Sequence, residues 1–222
     1  MNLAYDPIGT EEVEPVRYRI GDQDVILVDT PGFDDTNVSD TDILQRIADW
    51  LKQSYDDGAL LTGIIYLHRI SDQRMDGASM KNLRMFRRLC GANNFRMVKL
   101  ATTMWEKVSE EEGARRQDQL KKEYWKDMID QGSTVHRISD DPQDAIKLVK
   151  SFLGGTTTIL QLQDELRRGR TLGQTEAGAA IQEDIERLRL QYVKDLQEAK
   201  EEMRAAQRTR ASSGCTIRYP SY

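Results

Sequence analysis

The stretch Val25-Ile26-Leu27-Val28-Asp29-Thr30-Pro31-Gly32 decides the fold. Four apolar residues in a row, three of them β-branched, read as a buried strand. Asp29 closes the strand and Pro31-Gly32 breaks it into a turn. In open α/β sheets ligands bind beyond the carboxyl ends of the strands. The stretch therefore delivers a carboxylate, and three residues later a small, open backbone amide, to the place where a ligand would sit. A strand ending in an ordinary turn is the plainer alternative, since Asp, Pro and Gly all favour turns.

The neighbouring sequence supports the first reading. Upstream, Val16 to Ile20 alternates apolar and basic residues, and Gly21-Asp22-Gln23-Asp24 is a turn. This predicts a hairpin with an edge strand first and a buried strand second. Downstream, Ser39, Asp40 and Thr41 offer N-caps to a helix carrying Ile43, Leu44, Ile47, Trp50 and Leu51 at helical spacing. Gly63 to His68 is a second buried strand, Ser79 to Cys90 a helix with Leu83, Phe86 and Leu89 inward, and Met97 to Thr102 a third strand. Gly113 to Asp130 reads as one very polar helix, Thr134 to Ile138 as a short last strand, and Pro142 opens a helix ending near Leu153. Strands alternating with helices predict a three-layer α/β fold with a mostly parallel sheet.

Gly154-Gly155-Thr156-Thr157-Thr158 breaks the alternation and ends the predicted domain, 1–153. Residues 154–174 are expected to be a linker holding a short helix, Ile159 to Arg168, and the basic cluster Arg167-Arg168-Gly169-Arg170 reads as solvated linker. From 175 to 210 a long helix is expected. Its apolar positions Ile181, Ile185, Leu188, Tyr192, Leu196, Ala199, Met203 and Ala206 recur at spacings of 4, 3, 4, 4, 3, 4 and 3. That is a heptad-like stripe with one stutter, which predicts a coiled coil with a second copy or a protein partner. Residues 211–222 are expected to be a disordered tail.

Composition excludes several classes. Over 222 residues the net charge is -5, so nucleic-acid binding through bulk electrostatics is not expected. Hydrophobic residues make up 38% and charged ones 31%, which fits one packed domain plus a solvated helix. No segment approaches the length of a membrane span, and the first residues lack the features of a signal peptide. Two distant cysteines, Cys90 and Cys215, favour a reducing, cytoplasmic setting. The two histidines, His68 and His136, leave too few ligands for a zinc site.

Three segments together carry a resemblance. They are Val28-Asp29-Thr30-Pro31-Gly32-Phe33-Asp34-Asp35, Ile64 to Met75 (Ile-Ile-Tyr-Leu-His-Arg-Ile-Ser-Asp-Gln-Arg-Met), and Thr102-Thr103-Met104-Trp105. Over residues 8–153 the chain resembles the fungal septin- and AIG1-like GTPases. The resemblance implies a P-loop NTPase-type G domain that binds GTP with Mg2+. By it, Asp29 is the carboxylate on the magnesium side and Gly32 the glycine that senses the γ-phosphate. Thr10, in Gly9-Thr10-Glu11-Glu12-Val13, matches the switch threonine that reaches the metal, and Thr103 and Glu106 stand at the base-reading motif. GTP hydrolysis is the implied activity, with the catalytic residue unknown.

The departures are as informative. No Gly-x-x-x-x-Gly-Lys-Ser/Thr loop occurs anywhere, so the first strand and its phosphate cradle are absent. That strand normally sits at the sheet centre, and its loss would expose both neighbours' edges. The base-reading motif stands as Thr103-Met104-Trp105-Glu106: Glu106 keeps a carboxylate for guanine N–H groups, while Met104 replaces the lysine stem that lies along the base. Trp105 is either a packing aromatic or a base-stacking one. Phe33 stands where many small GTPases carry a water-orienting glutamine. His68, at a strand end, reads as a loop or supporting residue. Two other readings stay open: a pseudo-GTPase interaction protein that binds no nucleotide, and a truncated gene model of an active GTPase.

Overall fold

The computed structural model describes residues 10, 12–32, 38–73, 75 and 77–213, with side chains through 207. The first two strands, β1 (Glu14–Ile20) and β2 (Gln23–Asp29), form an antiparallel hairpin in register from Glu14↔Asp29 to Ile20↔Gln23. The connection is only two residues long, and Gly21 takes φ 63°, the left-handed backbone such a tight turn requires. Contrary to the sequence expectation, β2 is not a buried strand. Ile26 is 51% exposed, and the hairpin is a two-stranded sheet of its own. The run 25–28 is apolar enough to lie in a sheet interior, but among the described residues β2 pairs only with β1.

The second sheet is parallel, with order β3 (Ile64–Arg69), β4 (Val98–Thr103), β5 (Thr134–Arg137). Central β4 is the best-buried strand, with Val98, Leu100, Ala101 and Thr102 all inaccessible. β3 is hydrogen-bonded on one edge only. Among the described residues β2 and β3 are not paired with each other.

Helix α1 (Asp40–Asp56) starts where the caps predict: Ser39 Oγ accepts from the Asp42 amide at 3.2 Å, and Asp40 and Asp42 favour the positive end of the helix. Ile43, Leu44, Ile47, Ala48 and Leu51 form its buried face, while Trp50 is only half-buried. Helix α2 (Gly77–Cys90) buries Leu83, Met85, Leu89 and Cys90, and Phe86 packs at the margin of the core against Tyr66. Burial also pushes the Cys90 thiol pKa up, which disfavours the reactive thiolate. An ion pair between Lys81 and Asp40 joins α2 to α1.

The predicted helix over 113–130 is three pieces: α3 (Glu110–Gln119), a π-turn (Leu120–Tyr124) and α4 (Lys126–Asp130). Leu120 and Trp125 are both buried, yet five residues separate them, which on a regular helix is about 140° of rotation. The wide turn, closed by the Trp125 amide on the Leu120 carbonyl at 2.8 Å, brings both inward. Met128 joins them in the core.

Helix α5 (Pro142–Lys150) begins with Pro in its first turn and an Asp141 cap. The segment after it, expected to be linker, packs into the same core: Leu160 and Leu162 are buried around the start of α6 (Gln161–Arg167), and Gln163 Nε2 donates to the Leu51 carbonyl at 3.0 Å. The basic cluster is held locally. Arg167 donates to Tyr55 Oη at 2.8 Å, Arg168 pairs with Asp164 at 2.6 Å and Arg170 with Glu165 at 2.9 Å.

The last helix is α7 (Glu176–Ser213), as long as the stripe predicts. The chain forms two compact units, residues 1–181 and 182–222. Ala177, Ala180 and Ile181 are buried, whereas Ile185, Leu188, Tyr192, Leu196 and Met203 are exposed. The tail from 214 lies outside the described residues, among which no helix is long and apolar enough to cross a membrane.

Candidate functional site

The carboxyl end of β2 presents Asp29 to solvent. Thr10 Oγ1 donates to Asp29 Oδ2 at 2.8 Å, so two residues 19 apart in sequence meet in one contact. The chain then turns through buried Pro31 to exposed Gly32, around whose Cα nothing lies within the reach of an added methyl. Phe33, Asp34 and Asp35 fall outside the described residues.

The second group stands at the carboxyl end of β4. The Thr103 carbonyl accepts from the Ile70 amide at 2.9 Å, and Ile138 N donates to the Thr102 carbonyl at 2.9 Å, so the exits of β3, β4 and β5 are stitched side by side. Met104 follows with φ 60° and ψ 38°, the one non-glycine residue with positive φ among those described. A methionine there is strained by its Cβ. The left-handed step turns the chain sharply into a short helical turn over Trp105–Lys107, which leaves Glu106 exposed.

Trp105 is the packing aromatic of the two alternatives. It is 6% exposed, and its Nε1 donates to Thr102 Oγ1 at 3.0 Å and to the Thr102 carbonyl at 3.2 Å. Gly113 packs against one part of its ring; a Cβ there would stand 2.6 Å from Cζ3. The Arg137 guanidinium lies 3.8 Å from the ring centroid. Arg137 in turn pairs with Glu110 at 2.6 Å, and that hydrogen bond holds the Glu110 carboxyl below its ordinary pKa. With its ring so occupied, Trp105 cannot stack on a base.

Sequence reasoning overlooked Arg116, because nothing in a polar helix marks one arginine among several. Its Nη1 donates to the carbonyls of Ile70 at 2.9 Å and Ser71 at 2.8 Å, and Nη2 pairs with Glu112. Arg116 thereby fixes the loop after β3. His68 is buried beside it, its ring edge-on to Trp125 at 6.0 Å, which is the supporting role expected of it.

Two groups result: Thr10 with Asp29 at the hairpin, and Thr103 with Glu106 at the end of β4. Among the described residues no hydrogen bond or ion pair joins them. Nor do three or more His, Cys, Asp or Glu side chains gather there as a metal cluster.

No protein-family model and no curated protein matches the chain. Solved structures do. A dimerization-deficient mutant of Toc33 from Arabidopsis thaliana aligns at a TM-score of 0.50 with 16% identity, over 62% of this chain and 60% of that one. The fold is that of a G domain. The chain thus spans about 60% of the length of that structure. Toc33 from Arabidopsis thaliana in complex with Mg2+ and GMPPNP aligns at 0.48 with 17% identity, over 62% and 60%. Translation elongation factor SelB from Methanococcus maripaludis, in complex with the GTP analogue GPPNHP, aligns at 0.46 with 12% identity, over 68% and 30%. At these identities the likeness concerns the fold. In this fold the Thr10–Asp29 contact and the Met104 turn stand at the carboxyl ends of β2 and β4.

Proposed function

We propose that the chain is a guanine-nucleotide-binding G domain related to the septin- and AIG1-like GTPases. The observation that carries the reading is the Thr10–Asp29 contact: a hydroxyl and a carboxylate 2.8 Å apart at a strand's carboxyl end. Both are hard oxygen donors, and hard oxygens are what Mg2+ takes. Bound there, Mg2+ would neutralise charge on the β- and γ-phosphates. In this reading Asp29 and Thr10 would hold the metal side, the Gly32 amide would reach the γ-phosphate, and Thr103 with Glu106 would meet the base. GTP hydrolysis is the activity the resemblance implies. By that reading α7 carries the nucleotide state to a partner. A reducing, cytoplasmic setting fits the separate cysteines.

One observation favours a second reading, the pseudo-GTPase. With no Gly-Lys loop in the sequence and β2 unpaired with β3, the backbone amides and lysine that grip a triphosphate have no counterpart here.

Competition decides between them and tests Glu106. A fluorescent GTP analogue bound to the chain should be displaced by GTP and GDP but not by ATP. Glu106→Ala should shrink the guanine preference by about 10- to 100-fold, the worth of hydrogen bonds to a charged group. Equal displacement by ATP would remove the guanine assignment, and absence of any binding would leave the pseudo-GTPase.

A further inference from the structure

We propose that α7 pairs with α7 of a second copy of this chain, antiparallel, through the stripe from Ile185 to Ala206. The inference does not depend on the nucleotide reading. Every residue over 185–207 is exposed, including Ile185 at 48%, Leu188 at 49%, Tyr192 at 72%, Leu196 at 55% and Met203 at 64%. A helix in water draws most of its stability from packing an apolar face, and this one packs none of its stripe within its own unit.

The order of residues along the stripe says what covers it. A two-fold axis between residues 195 and 196 sets Ile185 level with Ala206, Leu188 with Met203, and Tyr192 with Ala199, while Leu196 meets its own copy near the axis. Six of the seven stripe positions from 185 to 206 coincide with their images under this axis, and Leu196 falls one residue from its own. Ile185 and the bulky Tyr192 then each face an alanine, so no layer holds two tyrosines or two alanines. A parallel, in-register pair would stack Tyr192 on Tyr192 and Ala199 on Ala199, alternating crowded layers with empty ones. Antiparallel helices also set their dipoles head to tail. A surface complementary to itself under a two-fold axis is an isologous interface, whose partner is another copy.

Light scattering on the full chain should give a solution mass of twice 25.5 kDa. Leu188→Asp or Leu196→Asp should return it to the single-chain mass, with the melting of residues 1–181 unchanged because both sites lie outside that unit. Orientation is read in chains carrying Cys215→Ser. Under mild oxidation, a mixture of Leu188→Cys chains and Met203→Cys chains should cross-link, and neither alone should. A chain that stays monomeric at tens of micromolar overturns the proposal and hands the stripe to a different protein. A dimer that survives both Asp substitutions overturns it too, as does cross-linking of Leu188→Cys chains by themselves.

Discussion

Trp125→Ala lowers stability by about 3–5 kcal/mol, the cost of emptying a large aromatic site. Trp125 is fully buried where the π-turn delivers it. Its ring meets Tyr66 edge-on at 6.4 Å and His68 at 6.0 Å, so it sits against β3 on one side and anchors the α3–α4 segment on the other. Set against the roughly 5–15 kcal/mol of a whole domain, the loss brings the fold close to its limit. Urea unfolding should show the midpoint falling with little change in slope. Trp125→Phe should cost less than Trp125→Ala: most of the volume stays, and the indole Nε1, buried without a hydrogen-bond partner, goes. An Ala variant within 1 kcal/mol of the parent would mean that the π-turn is not a core element.

Asp29→Ala weakens Mg2+-dependent nucleotide binding by about 10- to 100-fold, the span expected for losing a charged partner. Asp29 is exposed, and among the described residues its side chain holds one hydrogen bond, from Thr10, so the melting curve should hardly move. Binding and stability are therefore separable at this position. Thr10→Ala should reproduce the direction with a smaller effect, because it removes a neutral donor. Loss of folding along with binding in Asp29→Ala would assign the residue a structural role.

Much of this was legible in the sequence. The alternation of strands and helices gave the parallel sheet, the caps at Ser39 and Asp141 set two helix starts, and the stripe from Ile181 onward set the long helix. That Thr10 and Asp29 meet in a hydrogen bond is a contact across 19 residues that no local pattern shows. Other features depended on facts no local pattern holds. The apolar run of β2 looks buried because its residues would suit an interior; that its open edge has no partner is a property of the sheet. The π-turn stayed hidden because a five-residue gap between apolar residues reads as noise against a 3.6-residue repeat. Glycines and threonines over 154–158 looked like a boundary, yet Leu160 and Leu162 carry the chain back into the core. At Trp105 the residue type suited two roles, and its burial, its hydrogen bonds to Thr102 and the position of Arg137 over its ring distinguish them.

The most direct test of the central claim is equilibrium binding of a fluorescent GTP analogue to the purified chain, first with Mg2+ and then with excess EDTA. A guanine-nucleotide site built on Thr10 and Asp29 predicts micromolar binding that EDTA weakens. Absence of binding at high micromolar protein, or binding indifferent to EDTA, would contradict it.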